Sequence, residues 1–316
     1  MKKSSFLLFL LIFLAILLAS CVESNHSNLN TNNTLIVEDD FGYKIVIKGV
    51  PSRIVSLAPS NTEILFALGL GDKIVGVTDY CNYPPQALNK TKIGGYSTIN
   101  IERVIALKPD LVVAAYGNGR ETVETLRKFN ITVVALNPKN VKDIERDILL
   151  LGKITGTEDN ATKLVRWMEE KIEYVKKKVK GRKKVSVAHI LWHDPIWVSG
   201  KNTFIDEVIS IAGGYNVFDF EGWKIVSIED LIEKNPEVII VSSGSGMGGK
   251  RDVVYEWVVS DERLKGIDAV KNNRVYVVNA DIISRPSYRI VFAIEKVAKL
   301  LHPNAFEKLV LHQSQS

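Results

Sequence analysis

Short runs of β-branched and apolar residues alternate, from residue 53 onward, with segments whose apolar positions recur every three or four residues. The first kind of run predicts buried strands, and the second predicts amphipathic helices. The predicted strands are 53–57, 73–77, 110–114, 132–135, 184–191, 237–242 and 274–278. This alternation predicts mostly parallel sheets with right-handed crossover connections, the arrangement of α/β proteins.

The helical segments are delimited by polar caps, glycines and prolines. The predicted helices are 64–68, 100–107, 121–129, 160–179, 204–212, 228–234 and 288–301. Residues 60–63 (SNTE) match a capping box, so we expect Ser60 and Glu63 to cap the first of these helices. Residues 160–179 contain neither proline nor glycine and predict one long helix that ends at Gly181, with Lys176, Lys177 and Lys178 as a solvated face that complements the helix dipole.

One stretch of the chain is echoed 127 positions later. Residues 99–113 and 226–240 both contain a polar cap, an Ile-Glu pair, an apolar helical segment, a proline and an apolar strand, in that order. The echo predicts two related Rossmann-like lobes with a cleft between them. We place the N-terminal lobe at 35–152, the connecting long helix at 153–182 and the C-terminal lobe at 183–316.

The beginning of the chain has the pattern of an export signal. Two lysines precede an apolar run at 6–19, which is shorter than the roughly 20 residues that a membrane-spanning helix needs. Residues 18–21 (LASC) resemble the lipobox of prokaryotic lipoproteins, in which the cysteine is acylated. We therefore expect a signal peptide at 1–20 and a lipid anchor on Cys21 with a flexible tether at 21–34, the alternative being an uncleaved anchor helix.

Composition narrows the class of protein further. The 316 residues are 46% hydrophobic and 24% charged, as in an ordinary globular protein. The 41 basic and 36 acidic residues leave a surplus of five positive charges, which we interpret as spread along the chain and too small for nucleic-acid binding. Two cysteines, Cys21 and Cys81, are too few for a disulfide framework.

Candidates for enzymatic chemistry are weak. His189 and His193 lie four positions apart on a predicted strand, where about 13 Å separates them, so they cannot share one metal ion. Residues 244–250 (GSGMGGK) resemble a phosphate loop, but Arg251 replaces the Ser or Thr that would bind magnesium. We interpret this segment as a mobile loop at the mouth of the cleft and expect no enzyme activity.

Aromatic residues, by contrast, accumulate near the predicted strand-to-helix connections, where parallel α/β sheets form their ligand crevice. They favour a large ligand with flat or apolar faces. These residues are Tyr80, Tyr83, Tyr96, Tyr116, Trp192, Trp197 and Trp223.

Three segments, residues 53–63, 76–85 and 94–111, resemble the cobalamin and ferric-siderophore branch of the solute-binding proteins of ABC importers. The resemblance implies a class III periplasmic-binding-protein fold. It also implies that the ligand contacts are Tyr80, Tyr96, Tyr116, Trp197, Trp223, Asp281 and Arg285. Cobalamin-binding members have tryptophan where Tyr96 and Tyr116 stand, and phenylalanine where Trp197 stands.

The same resemblance implies that Glu102 and Glu229 dock onto arginines of a dimeric permease with ATPase subunits, although a first-turn glutamate also stabilises its own helix. We therefore expect a monomeric, lipid-anchored, extracytoplasmic binding protein for a corrinoid, with no cofactor and no nucleic-acid partner. The alternatives are a ferric-siderophore or haem receptor and, in a different class, a surface metal-dependent hydrolase.

Overall fold

The computed structural model describes residues 34–243 and 252–306. The predicted signal peptide, Cys21 and the whole glycine-rich segment at 244–250 lie outside the described residues. No helix within the described ranges combines the length and the apolar character that crossing a membrane requires.

The strands agree with the sequence pattern within one or two residues where strands were predicted. They are β1 (Thr34–Glu38), β2 (Lys44–Lys48), β3 (Ile54–Ser56), β4 (Ile74–Val77), β5 (Thr91–Lys92), β6 (Leu111–Ala115), β7 (Val133–Leu136), β8 (Val185–His193), β9 (Ile196–Ser199), β10 (Gly214–Asn216), β11 (Trp223–Val226), β12 (Val238–Ser243) and β13 (Val275–Asn279).

The predicted helices are also present, and others join them. The helices are α1 (Pro59–Ala67), α2 (Ile101–Ala106), α3 (Arg120–Lys128), α4 (Val141–Thr155), α5 (Glu158–Val179), α6 (Phe204–Ile211), α7 (Ile228–Lys234), α8 (Val253–Ser260), α9 (Asp268–Lys271), α10 (Ala280–Ile283) and α11 (Ile290–Leu301). The range predicted for the connecting helix, 153–182, thus holds the end of α4 as well as all of α5.

The first sheet belongs to the N-terminal lobe and has the order β5-β4-β3-β6-β7. All of its strand pairs are parallel. Every residue of β3, β6 and β7 is buried, because helices cover both faces of such a sheet. The predicted parallel sheet of this lobe is confirmed.

The second sheet belongs to the C-terminal lobe and has the order β11-β9-β8-β12-β13, with β10 paired to the beginning of β8. Strands β8, β12 and β13 are parallel, whereas β9 and β11 are antiparallel additions at one edge. The sequence pattern did not predict this antiparallel corner. It places Trp192, Trp197 and Trp223 inside antiparallel strands, so the prediction that they lie near strand-to-helix connections is wrong.

Helix α5 runs between the lobes and packs on both. Its buried residues Val165, Met168 and Ile172 belong to one hydrophobic core that continues through β3 and β6 on one side and through β8 on the other. Helix α4 lies close against it, because Gly152 has no side chain to collide with Ala161. A shared core fixes both lobes to the same helix.

Strands β1 and β2 form a hairpin that the sequence pattern did not predict. Asp39, in the turn of this hairpin, accepts a hydrogen bond from Arg127 at 2.6 Å and another from the backbone N–H of Ala135. The buried carboxylate therefore holds the hairpin against α3 and β7.

The sequence echo corresponds to a repeated structural unit. Asn100 and Ser227 cap α2 and α7 by accepting hydrogen bonds from backbone N–H groups. Each helix is followed by a residue with positive φ, Lys108 or Asn235, and then by a proline and a buried strand. The unit is the same in both lobes, as the echo predicts.

The capping box at residues 60–63 is wrong. Helix α1 begins at Pro59, and its cap residue Ala58 has no side-chain acceptor to offer. Because the helix starts one residue before Ser60, Glu63 does not reach back to a cap; it points into the interior between the lobes and is fully buried.

Candidate functional site

The exposed tyrosines of the N-terminal lobe form one surface at the edge where its parallel strands end. Tyr80 follows β4, Tyr96 follows β5 and Tyr116 follows β6, and all three rings are exposed. Gly95 lies against the ring of Tyr80, and Gly117 lies so close to Tyr96 that a Cβ there would be 2.3 Å from the ring. At position 117, the lack of a side chain lets the Tyr96 ring lie directly against the backbone.

Local contacts hold the backbone of Tyr96 and the ring of Tyr116 in place. The backbone oxygen of Tyr96 accepts a hydrogen bond from Asn118 Nδ2 at 2.7 Å. The same nitrogen also donates to the backbone oxygen of Leu57, the residue that follows β3. Tyr116 packs edge-on against Phe41, with ring centroids 5.9 Å apart. The Tyr96 hydroxyl lies against Gly117 and is partly shielded from water there, which raises the pKa of Tyr96, so the group stays protonated and can donate a hydrogen bond.

The indoles of the C-terminal lobe lie on one face of the antiparallel corner. Trp197 of β9 stands opposite Trp192 of β8 and opposite Ile225 of β11. Trp223 is two positions from Ile225 and so projects from the same side of the sheet. All four side chains are exposed. The result is a flat apolar surface suited to stacking against a planar ligand.

His189 lies directly under this surface. It is fully buried, its Nε2 atom is 2.7 Å from the hydroxyl of Ser242, and its ring packs edge-on against Trp223 with centroids 5.7 Å apart. Burial lowers the pKa of His189 to about 3, so the imidazole is neutral. His189 and His193 share one strand, as predicted, and the described residues contain no group of three or more metal-ligating side chains.

An ionic network joins the lobes beside the tyrosines. Glu63 of α1 accepts hydrogen bonds from Arg285 at 3.0 Å and from Arg289 at 2.9 Å, and its second oxygen accepts one from Ser287. Burial raises the pKa of Glu63, while the bond from Ser287 and the two guanidinium groups oppose that rise. The Glu63 carboxylate of the N-terminal lobe thus forms ion pairs with two guanidinium groups of the C-terminal lobe.

Arg285 and Asp281 also contact the segment that holds Tyr80. Arg285 pairs with Asp281 at 2.7 Å and donates to the side-chain oxygen of Asn82 at 2.7 Å and to the backbone oxygen of Tyr80 at 3.4 Å. Asn82 in turn donates to Asp281 at 2.9 Å. These contacts bring together three of the residues that the sequence assigned to ligand binding, namely Tyr80, Asp281 and Arg285.

A further cation extends the network to aromatic rings. The guanidinium of Arg289 lies 3.8 Å from the centroid of the Tyr83 ring. Burial and the neighbouring Tyr83 raise the pKa of Tyr288, which keeps this hydroxyl protonated. Sequence reasoning missed Glu63, Asn82 and Arg289 as parts of the site. Glu63 and Asn82 lie in segments that carry the family resemblance, but nothing in the local sequence indicates that any of the three residues joins the lobes.

Glu102 and Glu229 occupy equivalent positions at the start of α2 and α7. Each helix precedes a parallel strand and runs opposite to it, so its first turn lies at the edge where the strands end. This is also the edge that carries Tyr116 and Asp281. Both glutamates are exposed. Each lobe therefore presents one carboxylate on the side of the aromatic surfaces.

Comparison with known proteins shows to which family a chain of this architecture belongs. The model of a family described as periplasmic binding protein matches residues 54–282, which include α1 of the first lobe and Asp281 of the second. The chain belongs to the periplasmic binding protein family. Members of this family bind solutes, and the homologues reported below are binding proteins rather than enzymes.

Two curated relatives cover most of the chain. An uncharacterized ABC transporter substrate-binding lipoprotein, YvrC of Bacillus subtilis, is 31% identical over 323 residues, which are 98% of this chain and 100% of that protein. The vitamin B12-binding protein of Vibrio cholerae is 33% identical over 252 residues, 79% of this chain and 88% of that protein. The chain is thus an ABC-transporter solute-binding protein similar to B12-binding proteins.

A solved structure agrees with the sequence relatives. The crystal structure of the periplasmic vitamin B12 binding protein BtuF of V. cholerae superimposes with a TM-score of 0.70 at 31% identity, covering 82% of this chain and 99% of that one. The class III fold predicted from the sequence is therefore confirmed.

Proposed function

We propose that this periplasmic binding protein captures a corrinoid between its two lobes and delivers it to an ABC importer. The observation that carries the proposal is the pair of exposed aromatic surfaces, Tyr80, Tyr96 and Tyr116 on one lobe and Trp192, Trp197 and Trp223 on the other. A corrinoid has a broad macrocycle with apolar faces, which stacking on such rings recognises. The vitamin B12-binding relatives support the same ligand class.

Polar groups near the tyrosines fit the rim of such a ligand. A corrinoid carries side-chain amides and a phosphodiester, which accept or donate hydrogen bonds. Arg285 and Asp281, together with Asn82, offer donors and acceptors beside Tyr80. These groups also bond to one another, so ligand binding would extend an existing network rather than recruit isolated charges.

Anchoring and docking complete the proposal. Cys21 would carry the lipid that tethers the protein outside the cell membrane, in line with the relative named as a lipoprotein. Glu102 and Glu229 would meet one arginine on each half of a permease dimer that works with ATPase subunits. The binding protein would act as a monomer, because two lobes of one chain supply both halves of the contact.

A thermal-shift panel tests the ligand class. The melting temperature should rise on addition of cobalamin and should not rise with haem or with a ferric siderophore at the same concentration, because ligand that binds only the folded state stabilises it by mass action. A rise with haem alone would replace the corrinoid by a haem in the proposal. Mass spectrometry of the membrane-bound protein tests the anchor, since an unmodified Cys21 still joined to Ser20 would contradict it.

A further inference from the structure

The net positive charge of this protein comes from one short segment. Residues 176–184 (KKKVKGRKK) hold seven basic side chains in nine positions. Removing these seven from the 41 basic residues of the chain leaves 34 against 36 acidic residues, so the rest of the molecule is slightly negative. The expectation that the surplus is spread along the chain is therefore wrong.

The basic segment is exposed and only partly neutralised. It covers the last turn of α5 and the connection to β8. Lys176 pairs with Glu173 at 2.9 Å and Lys183 with Glu237 at 3.3 Å. Among the ion pairs of the described residues, none involves Lys177, Lys180 or Lys184. Together with Lys176 and Arg182, these three lysines line a surface groove of about 580 Å³ beside the end of α6.

The segment lies on the side of the molecule opposite the aromatic surfaces. It leads directly into Val185, the first residue of β8, and so marks the edge where the strands of the second sheet begin. Trp192 lies near the other end of the same strand, and the docking candidate Glu229 also lies at that far edge. A partner of the basic segment would therefore leave the cleft uncovered.

The chain enters the described part of the molecule on this same side. Thr34 pairs with Lys48 in the first hairpin, and Val50, two residues on, contacts Gly156 just before α5 begins. Val50 also lies four residues before β3, at the edge where the strands of the first sheet begin. The entry point and the basic segment thus lie near opposite ends of α5, about 33 Å apart along the helix.

We propose that the basic segment 176–184 rests on the anionic lipid surface of the membrane to which the chain is tethered. Residues 22–33 span at most about 40 Å when fully extended, which is similar to the length of α5. The tether therefore keeps the basic segment within reach of the lipid headgroups. In this resting orientation α5 lies along the membrane, and the aromatic surfaces and both docking glutamates face away from it.

Electrostatics supports a lipid surface over other occupants. Clusters of lysine and arginine beside a membrane anchor are attracted to acidic headgroups, and the attraction falls off within a Debye length of about 8 Å at physiological salt. The exposed lysines of the segment satisfy this condition because few acids neutralise them. The resting contact is consequently salt-sensitive and reversible, which allows the protein to turn over and dock. The inference relies on the proposed membrane tether but not on the ligand.

Lysine acetylation of full-length protein in vesicles tests this orientation. The protein is reconstituted into vesicles of phosphatidylcholine, with or without about 30% phosphatidylglycerol, and vesicle-bound protein is isolated by flotation before labelling. We expect Lys177, Lys180 and Lys184 to react about fivefold more slowly on the anionic vesicles, and the difference to vanish at about 0.5 M salt. Lys139 and Lys224, near the aromatic surfaces, should react at equal rates on both.

Charge-reversal variants and a soluble anion complete the test. Lys180→Glu with Lys184→Glu should abolish the protection of Lys177, whereas Lys139→Glu with Lys224→Glu should leave it intact. Equal acetylation rates on the two kinds of vesicle would overturn the proposal. Equal protection by inorganic phosphate without lipid would do the same, because the groove would then hold a soluble anion.

The outcomes stay separate from those for the proposed function. No corrinoid is present in the acetylation assay, so a wrong ligand assignment does not alter its result. An uncleaved leader would also hold the protein on both kinds of vesicle, so a wrong lipid assignment would appear in the mass of the N-terminal peptide and not in the lysine rates.

Discussion

The carboxylate of Glu63 accepts a hydrogen bond from Arg285 at 3.0 Å, across 222 positions of sequence and from one lobe to the other. Arg289 bonds to the same oxygen. The side chain of Glu63 is fully buried, and both arginines are nearly so. An ion network so well excluded from water links the position of the second lobe to that of the first.

Glu63→Gln should destabilise the protein strongly. Replacing the carboxylate by a neutral amide leaves Arg289 without its counter-charge and leaves Arg285 with Asp281 alone. Breaking a buried pair in this way costs about 3–5 kcal/mol. Urea unfolding of the ligand-free protein measures the effect. Glu170→Gln, an exposed position on α5, is the control and should change the free energy of unfolding very little. Equal stability of the two variants would contradict the role assigned to the network.

Trp197→Ala and Trp223→Ala should each weaken corrinoid binding by about tenfold or more, because one stacked ring contributes roughly 1–3 kcal/mol. The melting temperature of the ligand-free protein should change little, since both indoles are exposed. Tyr215→Ala is the matched control, an exposed aromatic on β10 of the same lobe but away from the indole surface. Calorimetric titration gives the affinities. A loss for Tyr215→Ala as large as for the tryptophans would show that the surface is not specific.

Gly117→Ala should imitate the loss of Tyr96. A methyl group at this position would lie 2.3 Å from the Tyr96 ring, so the ring must leave its place on the backbone. We expect corrinoid affinity to fall about as far as in Tyr96→Ala, by roughly tenfold. In the Tyr96→Ala background, the glycine substitution should have no further effect on affinity. Independent, additive losses would mean that Gly117 acts through something other than this ring.

Glu102→Gln combined with Glu229→Gln should uncouple binding from transport. Loss of both charges should lower association with the permease by more than about tenfold, because contacts of this kind set both encounter rate and register. Ligand affinity and melting temperature should stay the same, since both side chains are exposed. Glu121→Gln with Glu233→Gln, two other exposed glutamates on helices of the two lobes, is the charge-matched control. A double variant that lost ligand binding instead would assign the glutamates a structural role.

Asp147 should make stability depend on pH. Burial raises the pKa of Asp147 to about 7, despite its hydrogen bonds from Arg146. The folded state therefore binds this proton more tightly than the unfolded chain, whose aspartates have a pKa near 3.9. The free energy of unfolding should fall as pH rises from about 4 to about 7, by up to about 4 kcal/mol from this group. In Asp147→Asn the fall should be much smaller, and parallel profiles for variant and wild type would contradict the prediction.

Regular elements were predictable where local pattern decides them. Strands β6 and β12 each contain an unbroken apolar run that follows a proline, and α5 has an unbroken helical period, so each can be recognised from its own sequence. The hairpin of β1 and β2 and the antiparallel corner of β9 and β11 could not be recognised in this way. These strands are short, and they are stabilised by antiparallel pairing with neighbouring strands, which the local sequence pattern does not reveal.

In the candidate site, too, some residues could be predicted from the sequence and others could not. Aromatic residues at strand ends could be selected from the sequence, because parallel sheets place strand ends at one edge. The roles of Glu63 and Arg289 could not, since their partners lie more than 200 positions away and nothing in their local sequence separates a helix cap from a contact between lobes. The local pattern SNTE in fact favoured the wrong alternative for Glu63.

Calorimetric titration of the purified protein with cyanocobalamin tests the central claim most directly. We expect one ligand per protein molecule, bound with an affinity near nanomolar, or roughly −12 kcal/mol. We also expect a clear loss of that affinity in Trp197→Ala and Trp223→Ala. A titration of folded wild-type protein that releases no heat and gives no thermal shift with any corrinoid would contradict the claim.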